Sequence, residues 1–269
     1  MKNFKNKVVV VTGAGSGMGR AYAQAFAKRG AKLALNDYDA AGLSETVAML
    51  GDVEVHSETF DVSNKSAMDN FADNVKNRFG NAHVIINNAG IEGAQKPAWE
   101  LSNEEHARIM GINYYGVVNG TRAFVPQLLA NNEGAVVNVS SVFGLIGTPS
   151  NSDYCASKFA VRGFTEAMMV ELQETPVNAF CVHPGGIATN IVRSDEGQDF
   201  KDRYLTTPPE DIVEYVIASI GKGRVRIVYG KSSFRIWLAT RFVSLRLLVR
   251  ILWREMKSIT DLTYYPQAK

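Results

Sequence analysis

Cysteine is scarce in this 269-residue chain, which has only Cys155 and Cys181. Two thiols build neither a disulfide framework nor a thiolate metal centre, and both read as small buried residues. His56, His83, His106 and His183 are scattered rather than set at ligand spacing, so no metal is expected. A strong charge of one sign is also lacking. The formal net charge is +2, which gives no basis for nucleic-acid binding by bulk electrostatics. No apolar run precedes the first β-branched segment, so no secretory signal is read and a cytoplasmic location is expected. Repeats, low-complexity tracts and linkers are missing too, and 1–269 is read as one domain. What is present, 46% hydrophobic and 21% charged residues, is ordinary for a globular chain long enough to bury a large core.

Short β-branched runs alternate with helical patterns. Strands are read at Val8–Thr12, 33–35, within 53–60, 84–86, Gly134–Val139, 177–182 and 225–229. Helices are read after the first glycine cluster and over 40–50, 66–79, 104–130, 154–174 and 210–220. Alternation of this kind implies parallel βαβ units and a sheet covered on both faces. The expected class is α/β, a Rossmann-type doubly wound and mostly parallel sheet of about seven strands.

Thr12-Gly13-Ala14-Gly15-Ser16-Gly17-Met18-Gly19 joins the first strand to the first helix. Glycines there permit a tight turn and let backbone approach a pyrophosphate at a helix N-terminus. Position 18 is methionine, so the spacing is TGxxxGxG rather than GxGxxG. Asp37 follows Gly19 by 18 residues, at the end of the second strand. A carboxylate there bonds the adenosine ribose hydroxyls and repels a 2′-phosphate. With no lysine or arginine in the adjoining Tyr38-Asp39-Ala40, NAD is favoured over NADP.

Tyr154 and Lys158 stand four apart in a helical segment, on one face. A free phenol has a pKa near 10, and a cation within about 4–6 Å lowers it by roughly 1–3 units. The pair is a candidate acid/base device.

Together, Thr12-Gly13-x-x-x-Gly17-x-Gly19, Asn87-Asn88-Ala89-Gly90, Tyr154-x-x-x-Lys158 and Pro184-Gly185 ahead of Thr189 resemble the short-chain dehydrogenase/reductase family in its compact single-domain branch. The resemblance runs from about residue 7 to 190, and more loosely to 229. It implies that Tyr154 is the catalytic acid/base and that Lys158 lowers its pKa and bonds the nicotinamide ribose. It implies Ser141, rather than the adjacent Ser140, as the residue that holds the substrate oxygen, and Asn113 as support for a water relay to the lysine. For the cofactor, NAD, it implies contacts from Gly13, Ser16, Gly17, Met18, Gly19 and Asp37. Asp61 and Val62 are implied beside adenine, and Asn88, Ala89 and Gly90 beside the adenosine ribose. Pro184, Gly185, Ile187 and Thr189 are implied around the nicotinamide, while His183 reads as a strand-end residue. Residues 1–190 are then the cofactor and catalytic core of a single NAD-binding domain, and 191–208 a mobile substrate lid, with its polar run at 193–198 and with Phe200 and Tyr204 placed to touch a ligand.

Apolar Ile91, Val142, Phe143, Leu145 and Ile187 around the implied chemistry point to a hydrophobic alcohol or ketone, with Phe143 beside it. The expected reaction is NAD-dependent interconversion of a secondary or hydrophobic alcohol and its carbonyl compound, in a homodimer or homotetramer. A 3-oxoacyl-thioester reductase is the neighbouring alternative. Such enzymes usually use NADPH, which Asp37 disfavours. A catalytically idle scaffold and a membrane-peripheral assembly protein are alternatives from other classes.

The basic and apolar extension 231–269 departs from the ordinary. Wound as one helix over 233–257, it groups Arg235, Arg246, Arg250, Arg254 and Lys257 within about 100°. Arginines interrupt it too often for a membrane span. Two readings stand: peripheral contact with an anionic membrane, or an apolar face closing the substrate pocket or packing on another subunit.

Overall fold

The computed structural model describes residues 1–189, 191 and 198–265, with backbone alone for 198–200. Seven parallel strands form one sheet: β1 Val8–Thr12, β2 Lys32–Asp37, β3 Val55–Thr59, β4 Val84–Asn87, β5 Gly134–Val139, β6 Val177–Pro184 and β7 Arg226–Tyr229. Their order is β3-β2-β1-β4-β5-β6-β7. The chain thus winds outward from β1 in one direction and from β4 in the other. Such a reversal opens a crevice at the strand C-terminal ends.

Alternation along β1 divides the core. Val9 and Val11 face α1 (Gly17–Ala27), α2 (Ala40–Ala48) and α8 (Pro209–Lys222), packing with Tyr22, Phe26, Leu43, Val213 and Ile217. Val8 and Val10 face the layer of α3 (Lys65–Phe79), α5 (Gly116–Ala130) and α6 (Ser152–Glu171), packing with Phe71, Phe124, Leu128 and Met168. Each such fully buried large side chain contributes roughly 1.5–3 kcal/mol. Because both faces are covered, the central strands read as unbroken apolar runs rather than as alternating ones.

Two expectations about helices are corrected. Residues 104–130 are not one α-helix. α4 (Asn103–Met110), closed at its start by a Ser102–Glu105 capping box, passes through a π-helical turn at Gly111–Tyr115 before α5 begins. Residues 233–257 are not one helix either. α9 (Ser233–Phe242) ends where Val243 becomes extended, with φ −99° and ψ 132°, and α10 (Leu245–Met256) restarts after Ser244. Arg235 therefore leaves the stripe of Arg246, Arg250 and Arg254. Between them, α7 (Gln198–Tyr204) lies within the expected lid. The side chains of Gln198 and Phe200 and the run 193–197 lie outside the described residues. Among the described residues no helix is long and apolar enough to cross a membrane, and no cluster of potential metal ligands occurs.

Candidate active site

β1 delivers the glycine turn at the crevice. Gly13 has φ +65°, and a Cβ there would sit 2.8 Å from the Ala89 Cα. A Cβ on Gly19 would collide with the Gly13 carbonyl, and one on Gly17 (φ +51°) would lie 3.0 Å from Thr189 Cγ2. The turn is thus sealed against the segment after β4 and closely approached by the one after β6. Thr12 Oγ1 accepts from Asn88 N and Ala89 N, each at 3.1 Å, while Asn88 Nδ2 donates to Thr12 O and Gly13 O at 3.0 and 3.2 Å. The Asn88 side chain is accordingly spent on holding the turn. Ser16 is the residue before α1 and makes no side-chain cap, and Met18 packs against the core layer of Tyr22 and Phe26.

Asp37 closes β2. Its Oδ2 accepts from Gly15 N at 2.7 Å and its Oδ1 from Asp39 N at 2.9 Å. A carboxylate has about four acceptor positions, so two stay available to ribose hydroxyls. Arg20, which sequence reasoning overlooked, fastens the other side of the turn. Its Nη2 donates to Gly15 O at 2.6 Å and pairs with Glu45 at 3.0 Å, and its Nε donates to Thr46 Oγ1 at 2.9 Å. No local pattern marks Arg20, because its side-chain partners are 22 or more residues away apart from Gly15. Val62, expected beside adenine, is a buried core residue against Gly116 whose carbonyl accepts from Asn119 Nδ2 at 3.0 Å; Asp61 Oδ1 accepts from Ser63 N at 2.8 Å. A glycine cradle with no room for side chains, a helix N-terminus and an acidic strand end at the β1/β4 reversal fit a dinucleotide.

The second cluster is built on α6, the end of β5 and the π turn. Tyr154 hydrogen-bonds Ser141. Ser141 Oγ also accepts from Phe143 N at 3.1 Å, capping the 3₁₀ turn Val142–Gly144. Ser140 has another job: its Oγ donates to Lys158 O at 2.8 Å, tying β5 to α6. Lys158 is buried, its Nζ donating to Val139 O at 3.1 Å and standing 5.6 Å from the Tyr154 ring centroid. Asn113 is fully buried in the π turn, a distortion often found at functional sites. Its Oδ1 accepts from Ile91 N at 2.8 Å, and its Nδ2 donates to Ile91 O and Ser157 Oγ at 3.0 and 3.1 Å. A Cβ on Gly90 would lie 3.2 Å from Asn113 Oδ1 and 3.3 Å from Lys158 Nζ. Glycine here keeps the amide and the ammonium side by side.

The balance of pKa shifts differs from the expectation. Burial pushes the Tyr154 phenol up to about 12, outweighing the Ser141 hydrogen bond that lowers it. Burial pulls the Lys158 ammonium down to about 8. Desolvation, which opposes the charged form of both groups, therefore outweighs the lowering expected from Lys158 in this structure. His183 is fully buried and pulled down to about 4 by burial, with Nδ1 2.9 Å from Ser141 O. A carbonyl only accepts, so Nδ1 carries the proton of a neutral ring that holds the Ser141 backbone.

Asp153 was also overlooked. It is 1% exposed, and its Oδ1 accepts from Tyr154 N at 2.7 Å while Oδ2 accepts from Ala94 N at 3.0 Å. It thereby pins the loop after β4 to the start of α6. An acid in a first helical turn is common, so nothing in the sequence singles it out. On the substrate side, the Phe143 ring meets the Tyr154 ring edge-on at 6.1 Å, and Phe143 and Ile91 are half-buried, whereas Val142, Leu145 and Ile187 belong to the packed interior. Pro184 ends β6, Gly185 N donates to Tyr229 O at 2.7 Å, and Ala188 N donates to Thr207 O at 2.7 Å, which closes the loop holding Ile187 and Thr189.

Comparisons with known proteins agree with this fold. The family model for short chain dehydrogenases matches residues 7–199. The putative oxidoreductase SadH of Mycobacterium tuberculosis is 43% identical over 246 residues, covering 86% of this chain and 88% of that protein. Human epidermal retinol dehydrogenase 2 is 38% identical over 194 residues, 71% of this chain and 60% of that protein. Among solved structures, a short-chain dehydrogenase/reductase from Burkholderia phymatum in complex with NAD superposes with a TM-score of 0.84 at 31% identity, covering 93% of this chain and 97% of that one. Levodione reductase gives 0.75 at 32% identity, covering 81% and 91%. Fold, glycine cradle and relatives converge: the chain belongs to the short-chain dehydrogenase/reductase family of oxidoreductases.

Proposed function

We propose that the protein interconverts a secondary or hydrophobic alcohol and its carbonyl compound with NAD, using Tyr154 as the proton donor and acceptor. The observation that carries this is the meeting of Ser141, Tyr154, Lys158 and Asn113 beside the glycine cradle. When bound, NAD supplies or takes up the hydride. The Asp37 carboxylate supports NAD over NADP because a 2′-phosphate would meet its negative charge. In oxidation the Tyr154 phenolate accepts the substrate hydroxyl proton; in reduction the phenol returns a proton to the carbonyl oxygen. Ser141 donates to the substrate oxygen and stabilises charge developing there. Lys158, held by Val139 O, places positive charge beside the phenol and would bond the nicotinamide ribose of a bound cofactor. Asn113 and Asp153 act as positioning residues, holding the loop after β4 against α6.

Two observations favour a lipophilic substrate: the Phe143 ring against Tyr154, and a human relative named for retinol, an apolar alcohol. The test is turnover of aliphatic, aromatic, steroid-like and polyol alcohols, and of matching ketones, with NAD(H) and NADP(H). Larger apolar members should give the higher kcat/KM with NAD. Preference for small polyols refutes the substrate class, and absence of turnover with either cofactor refutes the reaction.

A further inference from the structure

The C-terminal helices have two faces with different occupants. The inner one is used by the chain itself. α9 packs on β7 and on the turn that carries Phe143, Leu248 and Met256 of α10 are buried, and the Tyr265 ring lies 5.4 Å from that of Trp99 and 5.3 Å from that of Trp253. The outer one has no partner among the described residues of other elements. Phe234, Leu238 and Phe242 recur every four residues along one side of α9, and Phe234 and Phe242 are 62% and 79% exposed. On α10, Leu245, Leu247, Val249 and Ile251 are exposed as well, Leu245 to 74%. Seven of the fifteen exposed large apolar side chains of the described residues fall within 234–251.

Charge is concentrated in the same place. Segment 233–257 holds six cations (Arg235, Arg241, Arg246, Arg250, Arg254 and Lys257) against one anion, Glu255. Its net +5 leaves −3 for the rest of a chain whose formal total is +2. Among the described residues none of the six forms a salt bridge; Arg241 instead stacks on Trp237, 4.5 Å from the ring centroid. Arg246, Arg250 and Arg254 form one stripe on α10, with Leu247 and Ile251 along one flank and Leu245 and Val249 along the other. An apolar stripe on one helix beside a flanked basic stripe on the next suits a surface that is anionic at its top and apolar just below.

We propose that the outer face of α9 and α10 docks on an anionic phospholipid surface, with Phe234, Leu238 and Phe242 entering the headgroup layer and the α10 arginines meeting phosphates. A second copy of this chain is disfavoured as the occupant, because an isologous contact would set net +5 against net +5.

Flotation of the full chain with vesicles of phosphatidylcholine, with and without one-third phosphatidylserine, tests this. The protein should float with the anionic vesicles at about 0.1 M salt and be released at about 1 M, where screening is nearly complete. Replacing three exposed arginines (R246A/R250A/R254A) should lower the partition coefficient on the order of 100-fold, and F234S/F242S should lower it too, with circular dichroism unchanged in both. Absence of flotation, equal flotation with neutral vesicles, or equal partition of wild type and R246A/R250A/R254A overturns the proposal. So does an oligomer, measured by sedimentation without lipid, that dissociates on F234S/F242S, since a second copy would then own this face.

Discussion

Two adjacent serines separate catalysis from scaffolding. Ser140→Ala removes a buried hydroxyl that donates to the Lys158 carbonyl at 2.8 Å. That carbonyl keeps its place in the α6 backbone ladder, so the loss is one hydrogen bond, about 1 kcal/mol. Ser141→Ala removes the acceptor for Phe143 N at 3.1 Å and with it the cap of the 3₁₀ turn, again about 1 kcal/mol. The two variants therefore unfold at similar urea concentrations, both below wild type. Activity should not follow stability. Ser141 hydrogen-bonds Tyr154, whereas Ser140 points into α6. Losing one donor to a developing oxyanion costs about 2.7–4 kcal/mol, or 10²–10³ in kcat. Ser141→Ala should show that loss, and Ser140→Ala should stay within about tenfold of wild type. Urea titration alongside steady-state turnover of one alcohol with NAD provides both readings. Equal activity losses in the two variants, or a larger one in Ser140→Ala, would refute the assignment of Ser141.

The other predictions concern cofactor choice and pH. Asp37→Asn deprives either Gly15 N or Asp39 N of its carboxylate acceptor; NAD affinity should fall about 10- to 100-fold and discrimination against NADP should narrow, as read by titration of both. A wild type that already prefers NADP contradicts the role given to Asp37. With the Tyr154 phenol raised to about 12, phenolate is the minor form throughout neutrality, so kcat/KM for alcohol oxidation should rise with pH while ketone reduction, which uses the phenol, stays flat. The rise should weaken above about 8, where Lys158 loses its proton; pH–rate profiles in both directions check this, and oxidation that slows between about pH 6 and 8 rules it out.

The sheet was legible because strands buried on both faces, such as Val8–Thr12 and Gly134–Val139, print as β-branched runs between turn signals. Asp37 and the glycine cluster were legible for a local reason: the turn's geometry demands those residue types in sequence order. The π turn was not. It adds no polar or glycine signal beyond Gly111 and Asn113 and leaves the apolar period of 104–130 nearly intact. The break at Val243 was hidden for a similar reason, since Ser244 in a run of apolar and basic residues reads as one more helical position. Arg20 and Asp153 act through contacts with distant segments, Thr46 and Ala94, that only folding creates. The direction of the Tyr154 shift was hidden for the deepest reason: spacing shows a cation four residues away, but desolvation depends on everything packed around the phenol.

The most direct test of the central claim is Tyr154→Phe, measured for turnover and for NAD binding on the same preparation. Removing the hydroxyl takes away the proton donor and acceptor but leaves the ring that packs against Phe143 and lies beside Lys158. The account predicts turnover lowered at least 10³-fold, with NAD affinity within a few-fold of wild type. Retention of a tenth or more of the wild-type rate would contradict it.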